Sequence, residues 1–423
     1  MVFNIEELKN KRILFQDTEQ GMKFTYLGVG FSAGSRFDPP ELAGASHLLE
    51  HLVFKGTQQK TAEEINREFN KLGAYSNAFT SWNTVFYFSK VPTDNLEKTA
   101  ELWAELLESL VFTEEDFENE KQVVLEELRM RDDSPVQSLS KQLLKKFLPD
   151  HSIGRPIGGE EKTVANITKD QLENFMREYY TAEGSLLLLA GGEPDEKTLQ
   201  KIKDIFGSNH SQERKVPKVP NDEPINPKKG IYYFNRRSKT IYGELLAIGP
   251  PGNTVLGKAM KLFTYYLTES KRSPLYKALI RKGLVSDFGS VLYVQPDISV
   301  WGIGFSASKE KFSSSLNTIL TTIKEVLSKP WDEETLSSWV KEYNARLSIG
   351  SESVSFRAMF DLEMYYDFAL QGNYEALISL NNQLVTEDIS ELFNLLKKEL
   401  PFALGILGPK KSVNLIDNDL LPN

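Results

Sequence analysis

Residues 211–230 read SQERKVPKVPNDEPINPKKG, four prolines and many charges set between two long stretches of regular apolar periodicity. Proline fixes its own φ and has no backbone N–H to donate, so such a stretch belongs neither inside a helix nor inside a sheet. It reads as an exposed interdomain linker. The 423 residues then divide into a domain over 1–210 and a second over 231–423, each near the size at which a chain builds one hydrophobic core. Hydrophobic residues at 40% and charged residues at 26% match a globular protein rather than a disordered one.

Charge and composition exclude whole classes of function. A net charge of -9 argues against nucleic acid as a partner, because binding the phosphate backbone needs clustered Lys and Arg. No cysteine is present, so disulfides are impossible and a transition metal must be held by His, Asp and Glu. Met1 to Arg12 mixes charges with few apolar residues and lacks the apolar core of a signal peptide. No run approaches the roughly 20 apolar residues of a membrane span. The expectation is a cytoplasmic protein that does not cross a membrane.

Within the first half, Thr61 and Glu64 form a capping box that opens a helix closed at Gly73. Thr84 to Val91 alternates as a strand, and Thr93–Leu110 and Thr113–Arg131 have helical patterning. In the second half, Tyr242–Ile248 and Ser299–Ser306 read as strands, with helices at Asn253–Ser270 and Ser273–Lys282. The halves are in register: Phe112-Thr113-Glu114-Glu115 and Trp331-Asp332-Glu333-Glu334 each open a helix, 219 residues apart (331 − 112). A period this long indicates duplicated domains, not a solenoid. The predicted fold class is α+β, two homologous domains, each a mainly antiparallel sheet with helices packed on it. At the same offset Glu127 meets Arg346 and the second half has no counterpart to the histidine segment, so any metal belongs to the first half.

Two of the chain's four histidines, His47 and His51, lie four apart in the run Glu41 to Phe54. The run follows Pro39-Pro40, ends near Gly56, and repeats apolar residues at Leu42, Leu48, Leu49, Leu52 and Val53, which predicts a buried helix. Spacing i, i+4 turns both imidazoles the same way. Two His and one carboxylate hold zinc and leave a fourth position for water. Glu50, three residues from His47, can face that water as general base and then protonate the leaving amine. A single His pair is more often a satisfied structural pair. With histidine this rare, however, His-x-x-Glu-His arises by chance on the order of a few times in a thousand such chains.

The third ligand must come from elsewhere, and Glu118 to Leu128 places several carboxylates on one helix. Glu120 and Glu127, seven apart, share a face. Spacing alone does not choose among these carboxylates.

Taken together, GASHLLEHLVFKGT at Gly44–Thr57 and the glutamate 76 residues after His51 (127 − 51) resemble the pitrilysin (insulinase) family of inverzincin zinc metallopeptidases. The likeness extends to processing-peptidase-type subunits and covers nearly the whole chain. It implies a zinc-dependent endopeptidase subunit that cleaves peptides or unfolded segments in a clamshell chamber, with one Zn2+ per chain held by His47, His51 and Glu127. By the same resemblance Glu50 is the base and Glu120 a supporting catalytic glutamate that orients the site. Gly73–Thr80 is similar to the family's edge-strand segment, which implies that Asn77 and Ala78 contact an added substrate strand. His151–Gly159 and Phe175–Tyr180 also match, in positions that look structural. One departure stands out: the Arg-x-x-x-Gly-Leu-x-Tyr segment that holds the substrate carbonyl has no tyrosine here, where the chain reads Ser273 to Phe288. Family members of this length work as pairs, so the resemblance implies a dimer, a heterodimer in preference to a homodimer, whose partner brings the Arg/Tyr pair. The alternative is a catalytically silent or partner-dependent scaffold or processing subunit.

Overall fold

Ser185–Gly192 carries four successive leucines and is buried along its whole length, as a strand covered on both faces must be. In the computed structural model, which describes residues 2–208, 224–409 and 421, this strand is β6. Around it stand β1 (Val2–Glu7), β2 (Ile13–Glu19), β3 (Phe24–Phe31), β4 (Tyr75–Thr80) and β5 (Val85–Pro92), in the order β1-β2-β6-β3-β5-β4. All neighbours are antiparallel except β2 with β6. The second sheet has β7 (Ile231–Asn235), β8 (Thr240–Gly249), β9 (Asp287–Val294), β10 (Ser299–Ser308) and β11 (Ala403–Gly408), in the order β7-β11-β8-β10-β9. Its one parallel pair is β7 with β11. Thus β2-β6-β3-β5-β4 and β7-β11-β8-β10-β9 share one succession of parallel and antiparallel neighbours. The duplicated α+β architecture read from the sequence is the one observed.

The helices repeat as well. The first five of the first half are α1 (Ala45–Leu52), α2 (Ala62–Lys71), α3 (Leu96–Glu108), α4 (Glu114–Asp133) and α5 (Pro135–Phe147). The helix Glu333–Gly350 begins 219 residues after α4 (333 − 114), and Val354–Tyr366 begins 219 after α5 (354 − 135). Thr61 caps α2 through the reciprocal bonds with Glu64. Beyond β8 the expected helix 253–270 is regular only over Val255–Thr264 and then widens into i→i+5 turns at Tyr265–Glu269; the expected 273–282 helix is such a turn at Tyr276–Ile280. Thr268 Oγ1 donates to the Thr264 carbonyl and Ser273 Oγ to that of Tyr265. Hydroxyls that take backbone carbonyls compete with the regular helical ladder.

Two compact units result: residues 2–130, 155–208 and 350–363 form one, and residues 131–154, 224–349 and 364–409 the other. Most of the expected 211–230 linker lies outside the described residues. The units depart from a purely sequential division, because each takes in a helix from the other's stretch of chain. In the second unit, Leu139 and Leu143 of α5 press so closely on Gly405 of β11 that a Cβ there would lie 2.9–3.0 Å from them. In the first, Val354 presses on Gly191 of β6, leaving 2.7 Å for such an atom. Among the described residues no helix is long and apolar enough to cross a membrane.

Two apolar clusters stand out among the described residues of the first unit. One lies under the sheet and gathers Leu27, Val29, Tyr87, Trp103, Leu187 and Phe206. The other clamps α1 to α4, with Leu48, Leu49 and Leu52 against Phe117, Val124, Leu125 and Leu128. That second cluster sets where the polar faces of these two helices meet.

Candidate metal centre

Helix α1 starts from Gly44, whose φ of 101° lies in the left-handed region, and a Cβ on it would stand 2.8 Å from the Gly158 carbonyl oxygen. Only glycine fits that entry without strain. Asp38 secures the helix start: its carboxylate accepts from Gly44 N at 2.8 Å, from Ser46 N at 3.1 Å and from the Ser46 hydroxyl. Burial pushes Asp38 up to about 7, against the pull of those hydrogen bonds. Four residues to the turn then bring His47 and His51 to one face, with ring centroids 4.9 Å apart.

Packing of α4 on α1 carries Glu127 to both rings. Its Oε2 lies 3.6 Å from His47 Nε2 and 3.5 Å from His51 Nε2. Glu120, two turns earlier on α4, approaches the other nitrogen of His51: Nδ1 to Oε2 is 3.2 Å. The second Glu120 oxygen is paired with Lys55 Nζ. Burial disfavours a charged imidazole, but the hydrogen bonds to Glu120 and Glu127 and the charge of Glu50 outweigh it and push His51 up to about 9. Burial likewise opposes the charge on Glu120, yet its bonds to His51 and Lys55 hold its carboxyl below the usual range.

Among the described residues, His47, His51 and Glu127 form the one group of three or more His, Asp or Glu with potential ligand atoms all within 4.8 Å of one another. Ligands about 2.0–2.2 Å from a tetrahedral zinc lie roughly 3.3–3.5 Å from each other. The His–Glu127 separations are of that size, and two imidazoles with one carboxylate suit zinc. The donor set therefore fits the ion. Glu120 bonded to His51 Nδ1 leaves Nε2 toward the centre, which is how a carboxylate behind a metal-bound histidine orients it.

Glu50, whose charge acts on His51, accepts at Oε2 a 2.6 Å hydrogen bond from Thr80 Oγ1, at the end of β4. Asn77 and Ala78 lie on β4, which is an edge of its sheet. Asn77 Oδ1 accepts from Ala78 N at 2.9 Å and covers that donor. His151 is buried, accepts from Ile153 N at 3.2 Å and is not one of the three grouped residues; His210 lies outside the described residues.

Sequence reasoning passed over three residues. Asp38 had a local signal, an acidic side chain just before a helix start. Lys55 and Thr80 lie in the Gly44–Thr57 and Gly73–Thr80 segments, but nothing in spacing links them to Glu120 and Glu50.

Residues 12–161 match the family described as Insulinase (Peptidase family M16), and residues 166–342 match the Peptidase M16 inactive domain. An uncharacterised zinc protease of Rickettsia felis is 25% identical over 415 residues, 96% of this chain and 98% of that protein. An uncharacterised zinc protease of Bacillus subtilis is 36% identical over 182 residues, 43% of this chain and 44% of the relative. The crystal structure of a protease from Helicobacter pylori superposes with a TM-score of 0.87 at 24% identity, covering 96% of this chain and 100% of that one, a likeness of fold.

Proposed function

The chain belongs to the insulinase family of M16 peptidases, and on that premise we propose that it is a zinc-dependent endopeptidase subunit of the His-x-x-Glu-His type acting on peptides or unfolded protein segments. The observation that carries the reading is the convergence of His47 Nε2, His51 Nε2 and Glu127 Oε2, with Glu127 Oε2 3.6 and 3.5 Å from the two nitrogens. These three residues hold one zinc per chain. Zinc there supplies Lewis acidity toward a peptide carbonyl and acidifies water near neutral pH.

The rest is the work of side chains. Glu50 takes the proton of the attacking water and returns it to the leaving amine, a transfer worth typically 10²–10⁴-fold. Glu120, neutralised by Lys55, fixes the ring of His51 and leaves Nε2 free of its proton. The open side of β4 accepts an extended peptide as an added strand through Asn77 and Ala78, so affinity comes from backbone pairing and tolerates varied sequences. To expose the Ala78 N–H, the Asn77 side chain swings away. The metal belongs to the first half of the chain, 1–210, and not to 231–423, the halves exchanging a helix each between their compact units, and the chain works in the cytoplasm as half of a dimer whose partner brings an Arg/Tyr pair.

Glu50→Gln is the direct test. The variant should keep about one zinc by elemental analysis and lose at least about a hundredfold in cleavage of an unstructured fluorogenic peptide, since it removes the base and no ligand. Undiminished cleavage would end this mechanism.

A further inference from the structure

Glu50 is the one group in the proposed mechanism that must be aimed twice, first at a water and then at an amine, and its carboxylate is held from outside its own helix. Thr80 Oγ1 donates to Glu50 Oε2 at 2.6 Å, across from the last residue of β4 to α1. Thr80 and Glu50 are both half-buried, so water competes only partly for that bond. Tyr87 is buried and Tyr180 half-buried, with hydroxyls 2.7 Å apart. Both phenols are pushed up, by burial first, with the charge of Glu50 contributing.

We propose that Thr80 is a positioning residue: its hydroxyl holds Oε2 of Glu50 and so fixes the aim of the carboxylate, and it ties that aim to the edge strand on which substrate is added. The proposal rests on the peptidase reading above and deepens it. A hydroxyl bonded to one oxygen of a carboxylate locks a torsion that is otherwise broad, and a charge-assisted bond of this kind is stronger than a neutral one. Thr80 follows Asn77 and Ala78 on the same strand. A peptide paired along β4 therefore orders the strand that ends on the base, so binding remote from the scissile bond acts on kcat as well as on KM.

Thr80→Val keeps the shape and removes the hydroxyl, and Thr80→Ser keeps the hydroxyl. In the zinc-loaded protein, Thr80→Val should lower kcat about 10- to 100-fold, the loss expected for one hydrogen bond to a charged group. KM and zinc content should change little, and Thr80→Ser should recover most of kcat. Unchanged kcat in Thr80→Val, or equal loss in both variants, would overturn the proposal while leaving the Glu50→Gln result to judge the peptidase reading. A second measurement needs no activity. In a thermal-unfolding cycle of Thr80→Val, Glu50→Ala and the double variant, coupled side chains give non-additive shifts in Tm; strictly additive shifts would refute the bond itself.

Discussion

At the scale of single residues, the candidate centre depends on how each histidine's two nitrogens are used. His51 spends Nδ1 on Glu120 and turns Nε2 toward Glu127, and Lys55 pairs with the far oxygen of Glu120. The two glutamates should therefore fail differently. Glu127→Gln removes a proposed ligand and should cut zinc affinity beyond a thousandfold, because two imidazoles alone make a poor site. Glu120→Gln should cost about 10–100-fold, the usual effect of disturbing a group behind a ligand. Titration against a competing chelator measures both, and equal affinities for wild type and Glu127→Gln would mean that this carboxylate is no ligand. Much of this centre was legible in the order of residues, since i, i+4 spacing alone turns two imidazoles to one side. The choice of Glu127 over its neighbours was not legible from spacing; Val124, Leu125 and Leu128 settle how α4 rolls against α1, and that is a matter of packing. The Thr80–Glu50 bond was out of reach too, because it joins a strand end to a helix 30 residues away.

At the scale of elements, the exchanged helix Val354–Tyr366 carries an unusual polar contact to β2. Asp361 and Asp17 are both fully buried, and the charge of one buried carboxylate disfavours ionisation of the other. Arg357, one turn before Asp361, reaches Glu19 on β2 at 2.6 Å and the Ser351 carbonyl at 2.6 Å. Burial first, and then the charge of Asp17, raises Asp361 well above the carboxylate range, with Arg357 opposing. A carboxyl raised on folding binds its proton more tightly in the native state, so its stabilisation is complete below the unfolded value and is lost as pH rises through the folded one. Asp361→Asn has no proton to lose. Its stability relative to wild type should improve from acid toward pH 9, by roughly 1–3 kcal/mol, as read from urea unfolding at a series of pH values; parallel curves would show that Asp361 does not hold the proton. The repeat made the helices at 135 and 354 foreseeable as counterparts, but not the exchange itself. Which sheet a helix covers depends on small partners such as Gly405 and Gly191 offering backbone to its side chains, and an apolar face alone names no recipient.

At the scale of the whole molecule, duplication makes two sheets of one plan, and among the described residues only the first unit has a His/Glu group that could hold a metal. Where the first unit has Glu127, the register of the repeat puts Arg346, which pairs with Glu269 at 2.9 Å and lies over the ring of Tyr265. A cation at that position repels a metal ion, so one zinc per chain is the expected stoichiometry whatever the state of assembly. The second half also departs from the Arg-x-x-x-Gly-Leu-x-Tyr pattern of the family it resembles. Its run Gly283-Leu284-Val285-Ser286 ends in serine, whose side chain is too short to replace a tyrosine hydroxyl that reaches into a site. A peptidase with its metal and base in place but no donor for the developing oxyanion keeps zinc and substrate binding and loses rate, because a missing donor of that kind costs about 10²–10³-fold in kcat. The purified chain should accordingly bind about one zinc and cleave an unstructured peptide slowly. Adding a homologous chain that carries the Arg/Tyr pair should raise kcat about a hundredfold, with a matching shift from one chain to two in light scattering. Replacing the tyrosine of that partner by phenylalanine should cancel the gain and leave the assembly intact. If the chain alone is already fully active, no second chain is required, and the carbonyl is held by residues of this one.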